Sequence, residues 1–465
     1  MLPKPMRLEA LIKSNSYLRT TLKYSSLGDV VVNNITSQSS QCAPQSLFVA
    51  KRGATAQSRD GHEFIHEAVS LGACAVVIDQ SFNLSDNLPI PVIRSAHSAR
   101  ALSVLCEAFW EFPSNKIKII ALTGTNGKTS SSFMLHSIFK AAGFKPKIIG
   151  TLGVGDPGQL TPLSHTTMEA EFLSRTLAHM ASNQTSHVIL EASSHGLALE
   201  RVSGLNFAAV GLTNIGQDHL DFHQTKSNYI KAKQKLFDDL ASEHTYKIIP
   251  DHHDFDHSVE KLPNLFKYNS ELKPAGLSLP GDFQVNNAAL ACEIARNMGI
   301  KPEFIEEGLR LCLPIPGRLQ AVPNSHCQIF IDFAHTPDAL ASVLKTVRKL
   351  CSSRIILVFG CGGERDAYKR PLMGNIAQEL ADLVIVTDDN PRNEDAQAIR
   401  RAIIQDHKFY EIPDREEAIR KALLSATPHD LVLIAGKGHE DYQIYGESRL
   451  SFSDYNKALA LAGSL

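Results

Sequence analysis

A set of short apolar runs does most to limit the folds open to this chain: KIKIIALT, SHVILEAS and AAVGLTNI in its middle, QIFIDFA, RIILVFG, DLVIVTD and DLVLIAG toward its end. Each has the length of one strand and is apolar on consecutive residues, whereas a half-exposed strand alternates apolar with polar. Burial on both faces requires helices on both sides of a sheet, the situation of parallel strands. Helical stretches separate the runs, so the middle and the end of the chain each predict a doubly wound α/β sheet. Near the start, SLFVA, KRGATAQSRDG, HEFIHEAVSLGA and CAVVID read as strand, turn, helix and strand of a smaller α/β domain.

The expected architecture is three α/β domains: 1–112, a central parallel-sheet domain 113–313, and a Rossmann-like domain 314–465. The first boundary rests on the polar, proline-bearing Phe112-Pro113-Ser114-Asn115, and the second on Leu313-Pro314-Ile315-Pro316-Gly317, which reads as a hinge. Helices are expected over 286–298 and 304–311, and 248–280 as irregular connections with short strands. The loop Asp251-His252-His253-Asp254-Phe255-Asp256-His257 has a metal-binding composition but reads as solvated.

The 465 residues carry 47 Lys and Arg against 49 Asp and Glu, net charge −2, so no basic excess points to nucleic acid or an anionic membrane. The eight cysteines form no CxxC pair and read as reduced thiols. The start, MLPKPMRLEALIKSN, lacks the apolar core of a signal peptide, and the expected address is the cytoplasm.

The strand KIKIIALT leads into Gly124-Thr125-Asn126-Gly127-Lys128-Thr129 and then a helical stretch from Ser130 to Ala142 ending at Gly143. Strand, glycine loop, GKT and helix stand in the order of a phosphate loop, in the shorter GxxGKT form. Its glycines let backbone amides close around phosphate oxygens; Lys128 neutralises phosphate charge and the Thr129 hydroxyl can ligate magnesium. Such a loop specifies a nucleoside triphosphate and nothing finer.

Further motifs follow in order: Glu191-Ala192-Ser193-Ser194-His195-Gly196, Asp218-His219-Leu220-Asp221-Phe222-His223, Tyr229-Ile230-Lys231-Ala232-Lys233, Gly317-Arg318, Asp332-Phe333-Ala334-His335, Gly362-Gly363-Glu364-Arg365-Asp366, Asp389-Asn390-Pro391-Arg392 and Gly436-Lys437-Gly438-His439-Glu440. With GTNGKTS they resemble the Mur ligase family over nearly the whole chain. The resemblance implies an ATP-dependent ligase that phosphorylates a carboxylate and lets an amine displace phosphate. It implies two Mg2+ ions held by Thr129, Glu191, His219 and Lys233, the last carboxylated by carbon dioxide to a carbamate. Chemistry alone favours a solvated face for Lys233, since Lys231 and Lys235 flank it. By the same resemblance Asn287, Arg318, Asp332 and His335 join the loop around ATP. Gln284 stands where the family shows asparagine.

DNPR is the informative motif for the amino acid. Arginine grips a carboxylate with two parallel hydrogen bonds, and meso-2,6-diaminopimelate carries a distal carboxylate that lysine lacks. The resemblance places Arg365, Asp389, Asn390, Pro391, Arg392, Gly436 and Glu440 around that amino acid, Glu440 being suited to its distal ammonium. The other expected substrate is UDP-N-acetylmuramoyl-L-alanyl-D-glutamate, a peptidoglycan precursor, contacted by Ser37, Thr166, Thr167, Ser193 and Arg201. Here the chain departs from the pattern, with Thr36-Ser37-Gln38 for Asp-Ser-Arg and Leu199 for glutamine. A monomer is expected. The alternatives are an L-lysine-adding ligase of the same family and a non-catalytic nucleotide-binding protein; DNPR opposes the first, and Lys128, Glu191, His219 and Lys233 together oppose the second.

Overall fold

The apolar runs become the middle strands of two sheets. In the computed structural model, which describes residues 4–53, 58–85, 87–269 and 273–463, the central sheet runs Gln159–Thr161, Gly153–Asp156, Pro146–Gly150, His187–Glu191, Lys118–Thr123, Ala209–Leu212, Tyr246–Pro250, Leu265–Tyr268. The first two strands are antiparallel additions; the other six are parallel. Along Lys118–Thr123 successive side chains enter different cores. Ile120 and Leu122 pack with Phe133, Ile138 and Leu290, while Ile119 and Ala121 pack with Leu173 and Leu177. Both faces are thus dry, the physical reason Ile119, Ile120, Ala121 and Leu122 are apolar in succession.

The C-terminal sheet repeats the design in the order Gln320–Ala321, Gln328–Asp332, Leu431–Ala435, Ile355–Phe359, Leu383–Val386, Tyr410–Glu411, parallel except for its first strand. Leu357 and Leu433 face Leu340 and Leu344 of the helix Pro337–Leu350, and Ile356 and Ile434 face Ile419 and Ala422 of Arg415–Ser425. The N-terminal domain is built on a five-stranded sheet, Leu22–Lys23, Val92–Ser95, Ala73–Asp79, Ser46–Val49, Asn34–Thr36, with Leu102 and Leu105 of the helix Ser98–Phe109 in its core. Among the described residues no helix is long and apolar enough to cross a membrane.

At the expected first boundary Phe112 takes a left-handed conformation (φ 54°) and Pro113 opens a short helix. The buried Glu107 carboxylate accepts the Ser114 N–H (2.7 Å), so the turn is anchored from the preceding helix. The segment 248–280 contains the end of one strand, a 3-10 turn His257–Lys261 and the strand Leu265–Tyr268, with 270–272 outside the described residues. The helix after the phosphate loop begins at Lys128, two residues before the expected Ser130, because the left-handed Gly127 makes the turn into it.

Lys118–Thr123 lies between His187–Glu191 and Ala209–Leu212, and the chain leaves it toward one side of the sheet before returning to the other. That is the switch point at which doubly wound sheets hold ligands, beyond the carboxyl ends of the strands.

Candidate active site

Gly124 and Gly127 have φ of +144° and +87°, and a side chain on either would run into Thr213 Oγ1 or Asn287 Oδ1. Only glycine fits both the conformation and the space. The loop is fastened to the neighbouring strand end: Thr125 N–H donates to Asn214 O (2.9 Å) and Asn126 N–H to Asn214 Oδ1 (3.0 Å). The Thr213 hydroxyl donates to Asn126 O (2.6 Å). Lys128 curls back to donate to Gly124 O (2.8 Å) and Thr125 O (3.0 Å). Burial lowers its pKa, while Glu191 and Asp218 pull it back up. Thr129 and Ser130 follow in the first turn, whose free N–H groups and dipole favour an anion.

Glu191 ends its strand fully buried. Its Oε2 accepts from the Thr129 hydroxyl (3.1 Å) and the Thr151 hydroxyl (2.8 Å), while Oε1 is buried with no hydrogen-bond partner. An ionised oxygen in that state is costly unless a cation meets it, so this oxygen-rich corner fits a magnesium ion. Among the described residues no three His, Cys, Asp or Glu side chains converge as a complete metal cage. Magnesium needs none, since it takes one or two carboxylates and completes its shell with phosphate and water.

Lys233 is buried, unlike the exposed Lys231. Its Nζ donates to Gly124 O (2.8 Å) and lies 4.4 Å from the centre of the Tyr229 ring. Burial and the neighbouring Lys128 push its ammonium well below the ordinary lysine range, toward the neutral amine. The solvated helix face that chemistry alone favoured for Lys233 is therefore corrected: Tyr229 at i−4 and Lys233 turn inward together. His219, in a left-handed conformation (φ 55°), sits edge-on to His195 with ring centres 4.6 Å apart. Its Nε2 is 3.3 Å from Asp218 Oδ2, and burial pushes it down to about 3, leaving a neutral imidazole able to ligate a metal.

The C-terminal domain closes the other side. Arg318 lies 4.6 Å over the Phe333 ring and places Nη2 3.5 Å from Thr129 Oγ1. His335 Nε2 approaches Asp218 Oδ2 at 3.7 Å. Asp332 accepts the N–H groups of Leu319 (2.7 Å) and Ala334 (2.8 Å), fixing the backbone on either side of Arg318 and His335, and burial raises its pKa. Farther along, Asn390 Nδ2 donates to Glu440 Oε2 (2.8 Å). Arg392, with φ 55°, donates through Nη1 to Gly363 O (2.7 Å). Its backbone is pinned by the hairpin Tyr442–Tyr445/Ser448–Ser451 through Ile444 O (3.0 Å) and Gly446 N–H (2.7 Å).

A single cleft of about 970 Å³ runs between these walls. It is lined by Thr125, Asn126, Gly127, Lys128, Thr129, Ser130, Thr166, Glu191, Ser193, His219 and Asn287 from the central domain, and by Arg318, Asp332, His335, Arg365, Asp389, Asn390, Arg392, Gly436 and Glu440 from the C-terminal domain. Gly124, Lys233 and Pro391 lie behind its lining. Thr167, fully buried, has its hydroxyl engaged by Glu191 O (2.8 Å) and by Ser193, so it supports the wall and does not face the cleft. Ser37 is tied to Glu171 through N–H (2.9 Å) and Oγ (2.6 Å), joining the first two domains. Arg201 is paired with Glu169, which also takes Lys51 (3.1 Å).

Three contributors to the site stand outside the residues expected from the sequence: Thr151, Asp218 as a partner of both His219 and His335, and Lys437. Thr151 carries no motif; it reaches Glu191 because it directly follows the strand Pro146–Gly150, which pairs in parallel with His187–Glu191. Lys437 could have been found from its setting, a lysine between two glycines directly after a fully apolar strand.

Family models match over most of the chain: "Mur ligase family, catalytic domain" at 31–109, "Mur ligase middle domain" at 122–267 and "Mur ligase, glutamate ligase domain" at 317–438. The UDP-N-acetylmuramoyl-L-alanyl-D-glutamate–2,6-diaminopimelate ligase 1 of Clostridium acetobutylicum is 35% identical, with 92% of this chain and 94% of that protein aligned. The ligase of the same activity from Agrobacterium fabrum is 36% identical over 96% of each. A solved UDP-N-acetylmuramoyl-L-alanyl-D-glutamate–2,6-diaminopimelate ligase superposes with a TM-score of 0.62 at 28% identity, covering 93% of this chain and 95% of that one. MurF from Acinetobacter baumannii, at 16% identity and a TM-score of 0.61, shares the fold. The order of motifs, the three-domain architecture and these matches agree, and the chain belongs to the Mur ligase family.

Proposed function

We propose that this chain is the ATP-dependent ligase that joins meso-2,6-diaminopimelate to UDP-N-acetylmuramoyl-L-alanyl-D-glutamate in cytoplasmic peptidoglycan precursor synthesis. The observation that carries this reading is the single cleft, with a phosphate loop on one wall and Arg392, Asn390 and Glu440 on the other. A nucleotide phosphate at Lys128 and an amino acid at Arg392 would share one chamber, as transfer of an activated acyl group requires.

Within that reading, the precursor's carboxylate attacks the γ-phosphorus of ATP and ADP leaves; the amine then attacks the acyl carbon and phosphate leaves. Lys128 and the first turn of its helix hold the phosphates, and Arg318 reaches the same place from the facing domain, so closure of the two domains completes the charge around the transferred group. When bound, two magnesium ions supply the charge that lets the anions of ATP and carboxylate meet, one held by Thr129 and Glu191, the other by His219 and a carbamate of Lys233. The orphaned Oε1 of Glu191 supports the first assignment. The depressed pKa of Lys233 supports the second, because only a neutral amine adds carbon dioxide. Arg365 and Arg392 meet the distal carboxylate of diaminopimelate. Ser193 and Thr166 face the precursor, and Ser37 and Arg201 act on it from the first interface.

The test is phosphate release from ATP and Mg2+ with UDP-N-acetylmuramoyl-L-alanyl-D-glutamate, comparing meso-diaminopimelate with L-lysine. Release with diaminopimelate alone is expected. Preference for lysine would overturn the specificity, and silence with both would overturn the substrate assignment.

A further inference from the structure

Lys437 is wholly buried, yet it carries an ammonium group with few acceptors: Asn390 Oδ1 at 3.2 Å and Glu440 Oε2 at 3.0 Å, with the Tyr442 ring centre 5.4 Å away. A buried cation carries a desolvation penalty that is repaid only by good partners. The partners here belong to two motifs far apart in sequence, DNPR and GKGHE, and both line the cleft.

The contacts have two consequences. Asn390 Oδ1 accepts from Lys437 and from the Ile444 N–H (3.1 Å), so its amide has one orientation, with Nδ2 directed to Glu440 Oε2 (2.8 Å). Glu440 in turn receives both donors on Oε2 and neither on Oε1. Lys437 also cancels the charge of Glu440. Nearby, Asp388 pairs with Arg400, which also takes Glu411, and Asp389 lies 4.0 Å from Arg415, whose two carboxylate hydrogen bonds go to Asp454. Arg392 and Arg365 line the same part of the cleft, Arg365 with Nη1 4.0 Å from Asp221 Oδ2. With Glu440 already paired to Lys437 and two arginines lining the same stretch, the site favours a side chain bringing a carboxylate with its ammonium and disfavours one bringing an ammonium alone.

We infer that Lys437 is a positioning residue for amino-acid selection: it orients Asn390 and Glu440 and neutralises Glu440, so that the site accepts a zwitterionic distal group and rejects a solely cationic one. The inference rests on the proposed function.

The experiment measures steady-state phosphate release with meso-diaminopimelate and with L-lysine for the intact enzyme, Lys437→Met, Lys437→Gln, Glu440→Gln and the Lys437→Gln/Glu440→Gln double variant. In Lys437→Met, KM for diaminopimelate is expected to rise roughly tenfold to a hundredfold, the range for a lost hydrogen bond to a charged group. KM for ATP should stay within about twofold, and the preference for diaminopimelate over lysine should fall by about tenfold. Lys437→Gln, which keeps a donor without the charge, should recover part of the KM but not the preference. The double variant should be no worse than the poorer single one, since both act through one group. A Lys437→Gln enzyme with unchanged KM and preference would overturn the inference. So would losses spread equally over ATP, precursor and amino acid, the result of a structural defect. If Lys437→Met fails to fold, Lys437→Gln and the double variant decide. Activity of the intact enzyme with diaminopimelate keeps the proposed function whatever Lys437 does, and its absence removes both.

Discussion

Replacing Arg392 by lysine tests the specificity argument at one side chain. Arg392 commits Nη1 to Gly363 O (2.7 Å) and holds a left-handed backbone (φ 55°) between two hydrogen bonds to the hairpin. One edge of the guanidinium is thereby fixed on protein, and the other edge can meet a carboxylate without further loss of side-chain freedom. A lysine at this position keeps the charge and the same backbone strain, so stability should change little. It offers no second edge once its ammonium has turned to Gly363 O. The loss is then one charge-assisted hydrogen bond, about 1.5–3 kcal/mol, or roughly 10- to 150-fold in KM for diaminopimelate. Phosphate release at saturating ATP and precursor, with diaminopimelate varied, reads this directly, and a melting curve checks the fold. A KM within twofold of the unmodified enzyme, at unchanged melting temperature, would refute the assignment of Arg392 to the distal carboxylate.

Other perturbations follow from the same geometry. Lys233→Ala should abolish ligation, bicarbonate should not restore it and short carboxylates should partly do so; an active Lys233→Ala enzyme would exclude the carbamate. Arg415 and Asp454 are both fully buried and joined by two hydrogen bonds (2.7 and 2.8 Å) beneath the amino-acid side of the cleft, so Asp454→Ala should destabilise the C-terminal domain by roughly 3–5 kcal/mol, read by denaturant unfolding of that domain. His187, stacked on Phe139 with ring centres 4.3 Å apart, is pushed by burial down to about 4 from an ordinary 6.5. The unfolded chain then binds more protons than the folded one between those values, so its contribution is complete above pH 6.5 and is lost as the pH falls toward 4, up to roughly 3 kcal/mol. His187→Phe should flatten the acid limb of the stability curve, and an unchanged slope would exclude the histidine as its source.

How far the site could be read in advance depended on how local its parts are. Strand, glycine turn, Lys128 and helix are contiguous, and φ of +144° and +87° at Gly124 and Gly127 is a demand that glycine alone meets. The burial of Lys233 is different. Three lysines at alternate positions look solvated, and only the packing of that helix against the phosphate loop decides that Lys233 points inward while Lys231 stays in water. Thr167 shows the converse, a motif residue whose hydroxyl is already occupied by Glu191 O and Ser193.

By itself the sequence determined that two parallel sheets must be covered on both faces, since no alternating run could be left wet, and that a phosphate loop stands at the end of one of them. Its ordered motifs also determined the family. Tertiary structure alone decided which motifs share a chamber: Arg318 beside Thr129, Thr151 and Thr129 on one carboxylate, Lys437 joining Asn390 to Glu440 across 47 and 3 residues of chain. Those contacts depend on strand order and on how one domain meets the next. They are set by long-range packing, which no local pattern of residues encodes.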